Sequence, residues 1–211
     1  MIENLEFLVD KECRFCNQPD KDRILHETDN FYIMLSLGPI VEGYLLLVSK
    51  KHFHCCASLP ENLAEEFDML YNKIQNILRA VYGNVLSYEH GRAGSCLKSI
   101  RGSKHCYHAH MHFVPVSVKL NAVVTKDFTP VQLMNLNDFR MKYKKNLEPY
   151  LFVDDGIQAM YPPNGDLRRQ YLRFKVAESL GFNELWDWVK HQNWEVIRKG
   201  KLNLLKEFSK Y

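Results

Sequence analysis

Eight apolar residues at helical spacing, Leu63, Phe67, Leu70, Tyr71, Ile74, Ile77, Leu78 and Val81, form the strongest periodic signal in the chain. The pattern Ser58-Leu59-Pro60-Glu61 ahead of them has the form of a capping box, with proline in the first turn, where its missing N–H costs little. This predicts a helix over 59–82, closed by Gly83, with its apolar stripe laid on a sheet. Before it, 23–35 reads as two strands joined at Asp29-Asn30. After a break at Gly38-Pro39, 44–48 is a continuous apolar run that predicts a buried strand. A further strand is expected over 84–89. Beyond residue 120 the pattern predicts a strand over 121–125, a helix from Thr129-Pro130 to about 138, and a basic linker or excursion over 141–148. A hairpin follows, 150–153 and 157–161 around Asp154-Asp155-Gly156, and then helices over 167–180, 183–190 and 194–208. No internal repeat or low-complexity segment occurs.

Between 107 and 115 the period changes to two. His108, His110 and His112 alternate with Ala109, Met111 and Phe113. A strand sends successive side chains to opposite faces, so three imidazoles share one face and three core residues the other. Imidazole changes charge near neutral pH, and a row of them can attack, shuttle protons or hold metal. The segment 91–104 feeds into this strand. Its glycines Gly91, Gly94 and Gly102 and cations Arg92, Lys98 and Arg101 suit a phosphate group.

At 211 residues and 46% hydrophobic, the chain is long enough to bury a substantial core. Its start, Met1-Ile2-Glu3-Asn4-Leu5-Glu6, shows no basic region followed by a long apolar stretch, and no apolar run approaches the ~20 residues of a membrane helix. The expectation is a soluble, cytoplasmic protein. A net charge of +3 is too small to predict a duplex-binding surface. Without an export signal, the six cysteines read as thiols or metal ligands, and Cys13-Arg14-Phe15-Cys16 has the spacing of half a zinc site.

Four chemistries compete for the histidine strand. A cupin-type metal site needs a glutamate soon after the His-x-His pair, yet no carboxylate follows His112 before Asp127. An amidohydrolase barrel needs about 250 residues. A three-histidine catalytic zinc remains chemically possible. In the fourth, neutral His110 attacks an α-phosphate and carries the nucleotide as a phosphoramidate, with His112 assisting and His108 orienting the site or binding metal.

The run His108-Ala109-His110-Met111-His112-Phe113-Val114-Pro115 resembles the signature of the histidine-triad superfamily of nucleotide hydrolases and nucleotidyl transferases. Upstream the resemblance takes in Cys13-Arg14-Phe15-Cys16, Glu27-Thr28-Asp29-Asn30-Phe31, Gly38-Pro39, the stretch from Gly43 through Lys50-Lys51-His52, and Glu89-His90-Gly91, so that it covers about 10–118. It implies an α+β histidine-triad fold, an antiparallel sheet with one long helix across it, with a C-terminal hairpin and helices. The core would be 1–120 and the extension 121–211. It also implies His110 as nucleophile, His112 as its partner at the α-phosphate, and a homodimer. Dinucleoside polyphosphates, nucleoside phosphoramidates or nucleotide sugars are the implied substrates.

In the zinc-containing members, the ligands carried onto this chain are Cys13, Cys16, His52 and His108, with His54 competing for the place of His52. Such a zinc is structural, since four protein ligands leave no open position. Substrate contacts are expected from Ser36, Gly91, Arg92, Ser103, Lys104 and His105. Two of these depart from the family pattern. His105 stands where many members have serine or threonine, and Ser36 where an acidic residue commonly grips the ribose. A nucleotide-binding or sensory module with little turnover is therefore a second reading. In the extension, Arg168, Arg169 and Arg173 are expected on one helix that could reach substrate phosphates.

Overall fold

The computed structural model describes residues 13–16, 20–95, 97–99, 102–104, 107–165 and 167–210, with 97–99 and 102–104 described by backbone alone. The strands are β1 (Ile24–Glu27), β2 (Phe31–Leu35), β3 (Leu45–Ser49), β4 (Leu86–Gly91), β5 (Leu97–Ser99), β6 (Gly102–Lys104), β7 (His110–Val114), β8 (Val131–Gln132), β9 (Tyr150–Asp154) and β10 (Gln158–Tyr161). Eight of them form one sheet in the order β1-β2-β3-β7-β4-β9-β10-β8, with every neighbouring pair antiparallel. Strands β5 and β6 pair separately as a small ribbon. The α+β fold with one long helix is the one expected.

Helix α1 (Glu61–Tyr82) buries Phe67, Leu70, Ile74 and Leu78 against Leu45, Leu47, Met111 and Phe113 of the sheet. Helices α3 (Leu136–Asn146) and α5 (Trp194–Ser209) join the same core through Phe139, Tyr143, Leu204 and Phe208. The opposite face packs Leu46, Val48, Leu86, Tyr88 and Leu151 against α2 (Leu120–Val124) and α4 (Tyr171–Ser179). Both faces of the sheet are thus covered. Buried Asp154 ties β9 to α1: its carboxylate accepts from the Tyr71 hydroxyl at 2.7 Å and from Gln75 at 3.3 Å.

Several elements differ from the sequence reading. Residues 120–124 are helical, not a strand, because the four-residue spacing of Leu120 and Val124 buries both on the sheet. Pro130 does not open a helix. Val131–Gln132 pair with β10 as an edge strand, a place that tolerates a preceding proline. Helix α3 starts later, where the Asn135 side chain accepts from the N–H of Asp138. It runs through the segment expected to be a linker, since Phe139 and Tyr143 bury one side and Arg140 makes a bidentate pair with Asp68, both contacts 2.7 Å.

Helix α4 begins only after Gln170, whose φ of +53° breaks the helical path. Residues 183–190 form successive turns instead of a helix. Ser58 does not cap α1. Its hydroxyl donates to the Cys55 carbonyl at 2.7 Å and accepts from the Cys55 N–H at 3.3 Å. Among the described residues no helix is long and apolar enough to cross a membrane.

Ile74 is fully buried at the centre of the α1 interface, so Ile74→Ala is expected to cost about 2–5 kcal/mol of unfolding free energy. Urea melts of the two chains read this directly, and a loss below about 1 kcal/mol would mean the α1 interface is not close-packed there.

Candidate active site

Strand β7 lies between β3 and β4, with His112 opposite Leu46 on one side and Tyr88 on the other, and His110 opposite Val48. Irregular pairing continues past the strand end. The Ala109 N–H donates to the Phe53 carbonyl at 2.6 Å, and the Ser49 N–H to the Ala109 carbonyl at 3.1 Å. These bonds hold His108 in place although it precedes the regular ladder. His108 is buried, at 2% exposure, whereas His110 and His112 stay partly exposed.

The two nitrogens of His108 have separate duties. Nε2 lies 2.7 Å from the Ser49 carbonyl, which can only accept, so Nε2 carries the hydrogen and Nδ1 the lone pair. Nδ1 lies 3.4 Å from Cys13 Sγ, 3.6 Å from Cys16 Sγ and 3.2 Å from His52 Nδ1, while Cys16 Sγ lies 3.2 Å from His52 Nδ1. All four donor atoms fall within 4.8 Å of one another. A tetrahedral ion with bonds of about 2.0 Å to nitrogen and 2.3 Å to sulfur has edges of roughly 3.3–3.8 Å, which these separations approach. Cys13, Cys16, His52 and His108 can therefore hold a metal ion. His54 stands outside this group, its ring edge-on to His52 with centroids 5.8 Å apart.

His110 has the same kind of backbone tether. Its Nδ1 lies 2.6 Å from the His108 carbonyl, so Nδ1 carries the hydrogen and Nε2 is bare. Burial lowers its pKa, which keeps the ring neutral. Phe15 packs over both rings, its centroid 5.2 Å from that of His108 and 4.9 Å from that of His110. The His112 ring stacks on Tyr88 at 4.6 Å and 11°, and its Nδ1 lies 2.9 Å from the Tyr44 hydroxyl. Burial and then the neighbouring His110 lower its pKa well below the ordinary range. A fourth imidazole, His90, accepts from the Leu172 N–H at 3.0 Å through Nε2, and burial lowers its pKa to about 3.

The remaining expected contacts are dispersed. Gly91 ends β4 where an added Cβ would meet the Tyr150 ring at 2.0 Å, so only glycine fits. Arg92, at φ +63°, directs its guanidinium to the Tyr143 hydroxyl at 3.3 Å and the Leu147 carbonyl at 3.0 Å. Ser36 is buried and donates to the Leu37 carbonyl at 3.3 Å. Ser103 and Lys104 are described only as backbone of β6, and His105 lies outside the described residues.

The three arginines do not share a helix face. Arg168 stacks on Phe174 and Trp186, and Arg169 pairs with Asp187 at 2.9 Å. Arg173 is buried and donates to the carbonyls of Gly38, Leu185 and Trp186.

A family model for proteins similar to the CwfJ C-terminal region matches residues 6–129, more than half of the chain and including the whole triad. The chain belongs to that family. This member of the CwfJ C-terminal-like family carries the triad on the fold that the histidine-triad resemblance implied. No curated protein matches it.

Among solved structures it is similar to a histidine triad nucleotide-binding protein from Sulfolobus tokodaii, at 15% identity and TM-score 0.38, covering 91% of this chain and 93% of that one. It is also similar to a yeast Ap4A phosphorylase bound to Ap4A, at 13% and 0.45, covering 85% and 79%. A zinc-bound histidine triad protein from Mycobacterium smegmatis matches at 23% and 0.36, covering 49% and 74%. Family membership rests on the family match, not on these distant likenesses.

Tyr44, Tyr88, His90 and Phe15 line the site without having been singled out as site residues from sequence. Period-two alternation along β4 offers the signal for two of them, since Tyr88 and His90 share the face opposite Glu89. Buried Glu89 anchors the segment that follows His52: its carboxylate accepts from the Cys56 N–H at 2.7 Å and the Tyr150 hydroxyl at 2.6 Å. Burial pushes its pKa up to about 7, against the pull of those two donors. A carboxyl raised in the folded state favours folding at low pH, and that contribution is lost as pH climbs from about 4.5 through about 7. Glu89→Gln is therefore expected to gain stability relative to the native chain between pH 5 and pH 8, by on the order of 3 kcal/mol. Paired urea melts across that range check it, and parallel curves would mean that Glu89 is not raised.

Proposed function

We propose that this chain is a nucleotide hydrolase or nucleotidyl transferase that cleaves at an α-phosphate through a nucleotidyl intermediate on His110. The observation carrying this reading is the bond from His110 Nδ1–H to the His108 carbonyl. It fixes the tautomer, so a neutral imidazole offers the Nε2 lone pair with no base needed to uncover it. In the first step that pair forms a bond to phosphorus, and the bond from phosphorus to the leaving group breaks, its electrons departing with that group. In the second, an oxygen of water or of an acceptor attacks phosphorus, any proton it carries passing to solvent or to a His112 ring that has given one up to the leaving group, the P–N bond breaks, and the pair returns to Nε2. His112, 4.8 Å from His110 between ring centroids, is placed to stabilise phosphoryl charge or move a proton.

Cys13, Cys16, His52 and His108 would hold Zn²⁺, whose two thiolate and two imidazole donors suit a structural site. Bound there, the ion would supply rigidity, so that the Cys13–Cys16 turn, and with it Phe15, would be held against the triad. No step of the reaction requires it.

Intact-protein mass spectrometry under non-acidic conditions, after brief mixing with diadenosine polyphosphates and other nucleotide substrates, tests the intermediate. A nucleotide-sized adduct is expected on the native chain and absent from His110→Ala, which should lose at least about 10³-fold in turnover. No adduct and no turnover across the panel would favour a binding module.

Removal of metal separates a structural from a catalytic role. One zinc per chain is expected, and stripping it with chelator, or Cys16→Ser, should lower the melting temperature by roughly 5 °C or more. A stripped chain that melts as before yet loses activity would point instead to catalytic zinc.

A further inference from the structure

Tyr88, the cross-strand partner of His112, and Tyr44, just before β3, are both fully buried on the triad side of the sheet. Their hydroxyls touch each other, and the Tyr44 hydroxyl lies 2.9 Å from His112 Nδ1. Among the described residues the Tyr88 hydroxyl makes no other hydrogen bond. Three polar groups thus form a short row, Tyr88 hydroxyl, Tyr44 hydroxyl and His112 Nδ1, with the donor-only Arg173 guanidinium reaching the Tyr44 hydroxyl from the side.

Counting hydrogens decides its direction. If Nδ1 carried a hydrogen, three hydrogens would have to be placed along two contacts, and one would point at nothing in a buried site, at a cost comparable to a lost hydrogen bond. With a lone pair on Nδ1, Tyr88 donates to Tyr44 and Tyr44 donates to His112, and every hydrogen has an acceptor. We propose that Tyr44 and Tyr88 are positioning residues that hold His112 in the Nε2–H tautomer, so that it offers a proton donor beside the bare Nε2 of His110.

Two further observations support this. The Tyr88 ring lies nearly parallel to that of His112, at 4.6 Å and 11°, which fixes the imidazole plane with Nδ1 toward Tyr44. The buried cation Arg173, 5.2 Å from the Tyr44 ring centroid, faces the same cluster with His110 and His90, and all three disfavour a cationic His112. Arg173 is itself held by three backbone carbonyls, so its position is fixed. The two neighbouring imidazoles thereby take opposite tautomers: His110, with Nδ1 on a carbonyl, exposes a lone pair, and His112, with Nδ1 on a hydroxyl, exposes a hydrogen. The catalytic consequence rests on the function proposed above, but the tautomer does not.

Long-range ¹⁵N–¹H NMR of the full-length chain, with His112 signals identified by their loss in His112→Asn, reads the tautomer without substrate. The native chain should show Nε2 protonated and Nδ1 bare at His112, and Tyr44→Phe, which keeps the ring and loses only the hydroxyl, should shift the population toward Nδ1–H. Tyr88→Phe should move it the same way by less. If nucleotide turnover is present, Tyr44→Phe is expected to lower kcat about tenfold or more with KM within about twofold. An Nδ1–H tautomer at His112 in the native chain would overturn the proposal, even if Tyr44→Phe did not fold. An unchanged His112 spectrum in folded Tyr44→Phe would remove Tyr44 from the role. Absence of turnover counts against the proposed function and leaves the tautomer result standing.

Discussion

Strand β7 is hydrogen-bonded along both edges, to β3 and to β4, so its backbone is fully spent and its side chains can only go up or down. Below, Met111 and Phe113 disappear into the α1 core; above, His110 and His112 face the second layer. A slip of one residue in this register would bury two imidazoles under α1 and lift two core side chains onto the histidine face. Burial of Met111 and Phe113 at 0% exposure therefore sets the direction of the histidines, and with it the chemistry.

The imidazoles are then individualised by what their second nitrogen meets. His108 and His110 both donate to carbonyls of the chain, but through opposite nitrogens, Nε2 and Nδ1. The first therefore turns a lone pair toward two thiols and His52, and the second leaves its lone pair on Nε2. Burial lowers the pKa of all three triad members, which favours neutral rings, and the direction of the first two is set by backbone carbonyls, not by charge.

Short-range pattern carried much of this in the sequence. The triad alternation, the Cys-x-x-Cys spacing, the long α1 stripe and the β9–β10 hairpin each depend on residues within a few positions of one another. Elements decided by distant partners were illegible. The stretch 121–125 holds Val123-Val124-Thr125, residues that favour strands, yet packing of Leu120 and Val124 against α4 makes it helical. The later part of α3, within 141–148, reads as a basic linker because its buried aromatic, Tyr143, shows its purpose only when Tyr150 of β9 stands opposite. Tyr44 and Tyr88 lie in stretches that read only as strands, and nothing local reveals that their hydroxyls meet across β7.

The partner of β4 on its far side arrives late. Gly91 pairs with Tyr150 and Ser87 with Asp154, contacts separated by roughly 60 residues of chain. During synthesis at about 5–20 residues per second, β4 is an open sheet edge for several seconds after the triad has left the ribosome. That edge carries Leu86 and Tyr88 and has no proline or lysine to discourage pairing with another chain. Strand β9 closes the edge and delivers the Tyr150 hydroxyl to Glu89, and the Leu172 N–H that reaches His90 emerges later still. Folding is thus slowed by contact order at a strand whose open edge invites misassembly, and the triad's surroundings are completed only after most of the chain has emerged.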